Sequence, residues 1–235
     1  MVNFIVDGVA TSSSELGREL FAPIAASYER WARLLSMGQD ARWRRVMVDG
    51  LGLARGSRVL DVAAGTGSIT RLMESHGLEV FSADQSREMT QVANRRGATA
   101  VLAAAERLPF ADGTFDGVTF GYLLRYVDDV PRCLEELARI VRPGGAVGMV
   151  EFGRPTGVWR PAWWLYTRTV LPAAGFVIGS GWWQVGRFLG PNIDAFALNH
   201  PPVRLAAEWR AAGMVDVRYR RMSLGGGLVM WGRRR

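Results

Sequence analysis

The sequence predicts an α/β fold: a doubly wound, mostly parallel seven-stranded sheet with N-terminal helices and a helical, tryptophan-rich insertion before the last strands. Three observations predict it. Short apolar segments alternate with amphipathic ones between residues 53 and 152, as in βαβ units. A glycine-rich turn follows the first apolar segment. The length of 235 residues suits one α/β domain with an insertion.

The N-terminal part, residues 13–50, is predicted to be helical. Apolar and aromatic side chains recur there near the helical period at Leu16, Leu20, Ile24, Tyr28, Trp31 and Leu35. Residues 42–51 continue as a second helix, which is expected to end near Gly50 and Gly52.

The central part alternates between strands and helices. Strands are predicted at residues 57–63, 78–83, 99–103, 115–120 and 146–152. Helices are predicted at residues 68–75, 86–96 and 131–141. Ser86 stands where an N-cap is expected, and Glu88 follows in the first turn.

The alternation stops between Gly153 and His200. This segment contains Trp159, Trp163, Trp164, Tyr166, Trp182 and Trp183. A helix at 203–212 and strands at 215–221 and 227–232 follow, and the two strands could pair antiparallel at the sheet edge. The predicted single domain, 1–235, thus has four parts: residues 13–52, 53–152, 153–200 and 201–235.

Composition sets further limits. The chain is 49% hydrophobic and 22% charged, as is ordinary for a folded protein. It has no apolar run long enough to span a membrane and no signal-peptide pattern at its start, so a cytoplasmic location is expected. Its single cysteine, Cys133, excludes an intrachain disulfide and is expected to be a small core residue.

All 29 basic residues are arginine, and with 22 acidic residues the net charge is +7. Codon bias explains this composition, and so would a surface that attracts phosphates, nucleic acid or anionic lipid. The chain shows no basic–aromatic module for nucleic acid and no cluster with metal-ligand spacing. Neither a nucleic-acid partner nor a metal is therefore expected.

A nucleotide-type site is predicted after the first strand, where Asp61 to Gly67 form a turn of small residues. Such a turn lets the backbone approach a ligand and lets the next helix pack closely. Asp84 ends the second strand, where a carboxylate can accept two hydrogen bonds from a ribose diol. The expected contacts are Ala63, Gly65, Thr66, Gly67, Asp84 and Gln85. NAD, FAD and S-adenosylmethionine (SAM) sites all share this arrangement.

Two features favour SAM over a dinucleotide. Asp61 lies just before the turn, where it could hold the ammonium of a methionine moiety directly or through water but would repel a pyrophosphate. The segment 104–110 reads as a loop that could cover an adenine. Its Pro109-Phe110 could equally place an apolar side chain in the core.

At this point the chain resembles the ubiquinone/menaquinone biosynthesis methyltransferase family, a branch of the Rossmann-like class I SAM-dependent methyltransferases. The resemblance runs from about Phe21 to Trp231. It is carried by F-x-x-I-A-x-x-Y from Phe21, VLDVAAGTG from Val59, AERLPF from Ala105 and RIVRPGG from Arg139, followed by Glu151-Phe152. The resemblance implies a SAM-dependent methyltransferase whose acceptor is a small apolar or aromatic molecule, such as a prenylated hydroquinone carbon.

The resemblance also implies SAM contacts at Thr66, Asp84, Ala104, Ala105 and Gly121. Ala104 stands where family members often carry Asn or Asp, and Gly121 stands where Ser is common. Neither offers a side-chain hydrogen bond, so each departure is expected to cost roughly 0.5–1.5 kcal/mol of binding free energy. The backbone N–H of Ala105 could still reach the adenine.

Candidate catalytic residues are expected near the site of the methyl acceptor. Arg125 resembles the arginine of the family's L-R-N segment and could stabilise a phenolate or the SAM carboxylate; alternatively, it pairs with Asp128 or Asp129 at the surface. His200 could act as a base or orient one. Glu151 could act directly or support a neighbour. Tyr28 could close over the cofactor or pack in the core.

The tryptophan-rich insertion has three interpretations: an apolar cover for the acceptor, the face of a homodimer, or an ordinary helical cap. Tryptophan and arginine together also allow peripheral membrane contact. Other functions stay open, namely O- or N-methylation of a secondary metabolite or amino-lipid, and SAM binding without catalysis. An NAD-dependent oxidoreductase is disfavoured by the turn sequence and by segment 104–110.

Overall fold

The structure, a computed structural model, describes residues 4–6, 9–11, 13–179 and 181–235, with side chains from residue 15 onward except at residue 180. Before the first helix lies a short antiparallel pair of strands that the sequence did not predict. Its strands are β1 (Phe4–Val6) and β2 (Val9–Thr11).

The N-terminal helical part is divided into three helices, α1 (Ser13–Phe21), α2 (Tyr28–Leu35) and α3 (Gln39–Asp49). Residues 13–50 are mostly helical, as predicted, but they form three helices where two were predicted. A 3-10 turn at Ala22–Ile24 contains Pro23, which lacks the N–H that a helix needs. Between α2 and α3, Met37 and Gly38 have positive φ angles of 52° and 72°, which end the first helix and redirect the chain.

The sheet has the seven strands expected. They are β3 (Arg58–Val62), β4 (Glu79–Asp84), β5 (Thr99–Leu102), β6 (Phe115–Gly121), β7 (Val141–Phe152), β8 (Met214–Met222) and β9 (Gly227–Arg234). Their spatial order is β5-β4-β3-β6-β7-β9-β8. The first five are parallel, whereas β9 runs antiparallel to both β7 and β8. The predicted antiparallel pair is confirmed, but of its two strands only β8 is an edge strand, and β9 lies inside the sheet.

Helices cover both faces of the sheet, which makes it doubly wound as predicted. The core helices are α4 (Ser68–Ser75), α5 (Arg87–Arg95), α6 (Val130–Arg139) and α10 (Pro202–Ala211). One apolar cluster joins the sheet to α6 and α10 and contains the fully buried Cys133 and Trp209. A second cluster joins the sheet to α3 and α4. The Ser86 hydroxyl accepts the Met89 N–H at 3.3 Å and so caps α5 as expected.

The insertion is helical, as predicted. It contains α7 (Arg160–Leu165), a π-helical turn (Tyr166–Val170), α8 (Leu171–Ile178) and α9 (Trp182–Asn199). Two glycines let α8 and α9 pack closely. A Cβ at Gly175 would lie 2.3 Å from the Trp182 carbonyl, and one at Gly186 would lie 2.6 Å from that of Leu171. Within the described ranges, none of the helices has both the length and the apolar character needed to cross a bilayer.

The order of the strands indicates at which end of the sheet a ligand can bind. The chain builds β3, β4 and β5 outward in one direction and then returns to place β6 on the other side of β3. Connections therefore diverge at the carboxyl ends of β3 and β6. Open α/β sheets bind ligands in the crevice that such a divergence creates.

Candidate active site

A cavity lies at this edge, beside the turn that follows β3; we call it the glycine-loop cavity. Its wall contains residues from the turn, the end of β4, the segment after β5 and the end of β6. They include Ala63, Gly65, Thr66, Asp84, Gln85, Ala105 and Gly121. The N-terminal helices close it from above with Phe21 and Tyr28.

The turn adopts the backbone conformation that its small residues allow. Ala63, Gly65 and Gly67 have positive φ angles of 53°, 56° and 81°. Apart from its two chain neighbours, a Cβ at Gly65 would meet no described protein atom within 4 Å, so the missing side chain leaves space in the cavity wall. A nucleoside can therefore approach the backbone here.

Asp84 lines the cavity and connects the turn to β4. Its Oδ2 accepts the Gly65 N–H at 2.8 Å, and its Oδ1 accepts the Ser86 N–H at 2.8 Å. Burial raises the pKa of Asp84, and these backbone hydrogen bonds oppose the rise. A carboxylate oxygen can accept more than one hydrogen bond, so Asp84 retains acceptor capacity for a ribose diol.

Asp61 lies beneath the turn and outside the lining of the glycine-loop cavity. It is fully buried and accepts hydrogen bonds from the hydroxyls of Thr70 at 2.8 Å and Thr119 at 3.1 Å. Burial raises its pKa to about 6 despite these bonds. In the structure Asp61 connects β3 to α4 and β6, and its contact with a methionine ammonium stays a prediction.

Glu29, which the sequence did not indicate, connects α2 to the turn by hydrogen bonds. Its Oε1 accepts hydrogen bonds from Thr66 at 2.6 Å, Ser68 at 2.8 Å and Arg71 at 2.6 Å. Arg96 forms an ion pair with the same oxygen at 2.7 Å. Burial raises the pKa of Glu29, but these hydrogen bonds outweigh it and lower the pKa to about 2. The Thr66 hydroxyl is thus engaged by the protein itself.

A second cavity of about 740 Å³ lies between the N-terminal helices and the insertion; we call it the tryptophan cavity. Its wall is mostly aromatic and apolar and includes Trp43, Phe152, Trp159, Trp163, Tyr166 and Trp182. Four of these belong to the insertion, which therefore covers an apolar space. Trp164 and Trp183 instead are exposed to solvent.

The two cavities meet at three aromatic side chains, because Phe21, Tyr28 and Tyr122 line both of them. The Tyr122 hydroxyl donates a hydrogen bond to Asp40, and Arg44 forms an ion pair with Asp40 at 2.9 Å. Burial raises the pKa of Tyr28 to about 12 and also raises that of Tyr122. Both tyrosines are therefore neutral hydrogen-bonding groups at the junction.

Arg125 lines the tryptophan cavity and is almost fully buried. Its Nε donates to Glu151 Oε1 at 2.8 Å, and its NH1 group donates to Asn192 at 2.7 Å. The alternative of a surface pair with Asp128 or Asp129 is therefore wrong. Glu151 outweighs the burial that would lower the pKa of Arg125, so the guanidinium stays charged. The structure thus brings together two residues that were singled out separately.

The structure brings most of the predicted cofactor residues to the glycine-loop cavity. Those in its lining are Tyr28, Ala63, Gly65, Thr66, Asp84, Gln85, Ala105 and Gly121. Asp61, Gly67 and Ala104 lie outside the lining. In the loop after β5, Ala105 faces the cavity while Phe110 packs edge-on against Phe115 at 5.0 Å. Both interpretations of that loop are compatible with its geometry.

His200 lies elsewhere. Its Nδ1 is 2.9 Å from the Glu208 carboxylate, and its ring stacks on Phe196 at 5.0 Å. It lines neither cavity. The structure does not bring His200 to the site, so its role as a base stays a prediction without a supporting contact.

Four site residues were missed by sequence reasoning: Glu29, Asp40, Arg44 and Tyr122. Tyr122 could have been found, because it follows the last residue of β6 and strand ends at this edge carry ligand contacts. Asp40 and Arg44 are four residues apart and share a helix face, a spacing that also occurs in ordinary surface pairs. No local pattern marks Glu29.

Similarity to solved structures shows the fold. A SAM-dependent methyltransferase from Thermotoga maritima superposes with a TM-score of 0.63 at 19% identity, covering 93% of this chain and 99% of that chain. Geranyl diphosphate C-methyltransferase from Streptomyces coelicolor, in complex with S-adenosyl-L-homocysteine, gives a TM-score of 0.59 at 12% identity. That match covers 83% of this chain and 79% of the other.

Sequence relatives show the family. The ubiE/COQ5 methyltransferase family matches residues 10–233. A ubiquinone/menaquinone biosynthesis C-methyltransferase UbiE of Desulfotalea psychrophila is 36% identical, with 91% of this chain and 88% of that protein covered. A demethylmenaquinone methyltransferase of Renibacterium salmoninarum is 39% identical, with 89% and 87% covered. The chain therefore belongs to the ubiE/COQ5 methyltransferase family and is a SAM-dependent methyltransferase, in agreement with its fold and its glycine-loop cavity.

Proposed function

We propose that the protein transfers the methyl group of SAM to a ring carbon of a hydroquinone that carries an apolar tail. One observation carries the proposal: an aromatic cavity of about 740 Å³ adjoins the glycine-loop cavity at Phe21, Tyr28 and Tyr122. An apolar ring and tail fit such a wall, since burying apolar surface is the main source of affinity in cavities of this kind. The names of the relatives, which refer to demethylmenaquinone and to ubiquinone/menaquinone biosynthesis, support the same acceptor class.

The residues of the glycine-loop cavity fit SAM. Asp84 would accept hydrogen bonds from the ribose hydroxyls, the turn around Gly65 would receive the methionine end, and the Ala105 backbone would face the adenine. SAM supplies a methyl group on a positively charged sulfur, which is already activated for transfer. The protein's part is to position the acceptor and to exclude water, and positioning alone contributes up to about 7–11 kcal/mol in ideal cases.

Arg125 supports the acceptor side. Its guanidinium is a buried positive charge in the wall of the tryptophan cavity, held by Glu151 and Asn192. A ring carbon becomes nucleophilic as negative charge develops on the neighbouring ring oxygen, and a preorganised cation stabilises that charge. Glu151 and Asn192 act as positioning residues, because they fix the plane of the guanidinium.

The proposal is tested by incubating the protein with SAM and a panel of hydroquinones, simple phenols and amino-lipids. Mass spectrometry and carbon–proton correlation NMR then locate the added methyl group. We expect a new C–CH3 bond on hydroquinones, with tailed members reacting faster than tailless ones. Methylation only at oxygen or nitrogen would contradict the proposal, and so would an absence of turnover across the panel.

We further propose that the mouth of the tryptophan cavity contacts an anionic membrane surface. Met37, Trp159 and Leu224 line this cavity, yet they are 75%, 50% and 64% exposed. The insertion carries four arginines but one acidic residue, and on α9, outside the cavity lining, the guanidinium of Arg187 lies 5.4 Å from the ring centroid of Trp183. Exposed aromatic side chains next to arginines are typical of surfaces that bind anionic lipid.

This contact is tested by cosedimentation with vesicles of phosphatidylglycerol and phosphatidylcholine, compared with vesicles of phosphatidylcholine alone. We expect binding to the anionic vesicles, which Trp159→Ser combined with Leu224→Ser should weaken. Val203→Ser removes an apolar side chain that is 70% exposed on α10, outside the cavity lining, and should leave binding unchanged. Equal loss in both variants, or a concentration-dependent dimer that the double variant abolishes in the absence of lipid, would contradict the membrane assignment.

A further inference from the structure

The tryptophan cavity contains a carboxylate that no sequence pattern identified. Asp40, near the start of α3, is 7% exposed. Among the described residues that line this cavity it is the single carboxylate, in a wall whose other charged residues are Arg42 and Arg125. A buried carboxylate in an apolar wall carries a desolvation cost, so its position requires partners or a function.

Its partners place Asp40 next to the point where the two cavities meet. Arg44 forms an ion pair with Asp40 at 2.9 Å, and the hydroxyl of Tyr122 donates to it. Tyr122 lines both cavities, and its φ of 58° is in the left-handed region that costs energy for a bulky residue. The chain therefore holds a tyrosine in a strained conformation whose hydroxyl points to this carboxylate. His200, by contrast, lines neither cavity.

We propose that Asp40 is the group that accepts the proton of the acceptor's ring hydroxyl, a role that rests on the proposed function. Methylation at carbon needs this proton removed, because an ionised ring oxygen donates more electron density to the neighbouring ring carbon. Asp40 lines the tryptophan cavity, and its hydrogen-bond partner Tyr122 lines both cavities, so a ring bound at this junction would lie beside the carboxylate.

The atoms and electrons of the step balance. The O–H bond breaks, its proton bonds to an Asp40 oxygen, and its electron pair stays on the ring oxygen. The neighbouring ring carbon forms the C–CH3 bond while the S–CH3 bond breaks, and the sulfur keeps that electron pair. The methylated carbon then loses its own proton to solvent, the ring regains aromaticity, and Asp40 returns its proton to the ring oxygen. One proton is released overall.

The groups around Asp40 suit this role. Arg44 on the same helix holds a positive charge 2.9 Å from the carboxylate. Among the described residues, Tyr122 after β6 and Tyr28 on α2 also interact electrostatically with Asp40, and burial raises the pKa of both, so they remain neutral. Tyr122 is a positioning residue, because its hydrogen bond fixes the direction of the carboxylate.

The first test is the pH dependence of single-turnover methylation in wild type and Asp40→Asn. At about pH 7 we expect the variant to be slower by about 100-fold or more, as for loss of a general base. The deficit should shrink towards about pH 10, where a phenol ionises without help. Asp49→Asn removes a carboxylate from the exposed side of the same helix and should behave as wild type. A deficit that is the same at every pH would overturn the proposal.

The second test needs no turnover. Calorimetry compares the binding of 2-methyl-1-naphthol with that of its methyl ether, which cannot donate a hydrogen bond. Wild type should prefer the naphthol by about tenfold or more, as for a hydrogen bond to a charged group. Asp40→Asn should lose most of this preference and keep its affinity for SAM. An unchanged preference would overturn the assignment.

Two further comparisons test whether the carboxylate itself is needed and distinguish a failure of the Asp40 role from a failure of the proposed function. Asp40→Glu keeps a carboxylate and should recover part of the rate. If it does not, while both variants unfold at the wild-type temperature, the carboxylate is not the base. If wild type methylates no hydroquinone, the proposed function fails and the role of Asp40 fails with it. If wild type is active and Asp40→Asn is equally active, only the role of Asp40 fails.

Discussion

Asp84 is the residue on which the cofactor assignment depends most directly. Replacing it with alanine removes the acceptor for the ribose hydroxyls and also releases the N–H groups of Gly65 and Ser86. We expect Asp84→Ala to weaken SAM binding by roughly 1–3 kcal/mol, as for a lost charge-assisted hydrogen bond. Isothermal calorimetry measures this, with the exposed Asp112→Ala as control. Unchanged affinity would remove Asp84 from the ribose site.

Asp61 predicts a pH dependence of stability. Burial raises its pKa from 3.8 to about 6, so the folded protein binds this proton more tightly than the unfolded chain does. The ionised form therefore costs stability above about pH 6, and the cost is relieved as the pH falls below 6. Relative to Asp61→Asn, wild type should gain about 1 kcal/mol of unfolding free energy between pH 7 and pH 5.

Urea unfolding at the two pH values measures this difference, and only its change with pH is compared. The exposed Glu74→Gln on α4 is the control and should follow wild type at both values. A difference between wild type and Asp61→Asn that does not change with pH would show that burial does not raise the pKa of Asp61 in the folded protein.

Sequence patterns located residues of the glycine-loop cavity where their position depends on neighbours in the chain. Gly65 and Asp84 line this cavity, and they were singled out because a strand end, a tight turn and a second strand end recur at fixed spacing. Asp40 and Tyr122 were missed because their contact joins residues 82 positions apart, and their pairing follows from packing α3 over the end of β6. Local patterns contain no information about such contacts.

At the scale of elements, the contacts of Arg125 with Glu151 and Asn192 connect three parts of the fold. Arg125 follows β6, Glu151 lies in β7 and Asn192 lies in α9. Removing the arginine alone leaves a buried carboxylate without a counter-charge. We expect Arg125→Met to lower the free energy of unfolding by about 3–5 kcal/mol, measured by urea denaturation. Adding Glu151→Leu should restore part of this loss. If the double variant instead loses the sum of the free energies lost by the two single variants, the two residues are not a coupled pair.

The Glu29 contacts predict how α2 behaves. Arg71 and Arg96 both depend on this carboxylate, as do the hydroxyls of Thr66 and Ser68. Glu29→Gln leaves both arginines without their anionic partner and should loosen α2 from the turn. Hydrogen exchange should become faster in α2 and in the turn, and SAM affinity should fall. The exposed Glu19→Gln on α1 is the control, and equal exchange in both variants would contradict the role of Glu29.

The boundaries of helices and strands were predicted less well than their presence. The periodicity of residues 13–50 predicted helix correctly but missed the breaks. Pro23 and the left-handed Met37-Gly38 turn the chain so that α2 packs over the glycine-rich turn and α3 over the sheet. The predicted strand at 146–152 begins at Val141 instead, because that residue already pairs with Phe115 before the bend at Gly144.

At the scale of the whole molecule, the alternation of strands and helices predicted the fold class but not the order of its last strands. Placing β9 between β7 and β8 brings Gly227 next to the ring of Trp43, where a Cβ would lie 2.5 Å from it. The C-terminal end of the chain therefore packs on α3 and helps to close the tryptophan cavity through Leu224 and Gly226. The sequence could not show that segments so far apart form one wall.

A cavity of finite size predicts how affinity depends on the tail of the acceptor. Each methylene transferred from water into an apolar wall contributes about 0.8 kcal/mol. KM should therefore fall with the first prenyl units of a hydroquinone series and then level off once the tail fills the tryptophan cavity. Ala32 lines this cavity from α2, so Ala32→Leu should bring the plateau to a shorter tail.

The control for this series is Ala41→Leu, which adds the same side chain at an exposed position on α3. It should leave the dependence on tail length as in wild type. Steady-state kinetics with short, water-soluble tails measures the series without detergent. A KM that is independent of tail length would show that the tail does not enter the cavity. A plateau at the same length in Ala32→Leu would place the tail along another wall.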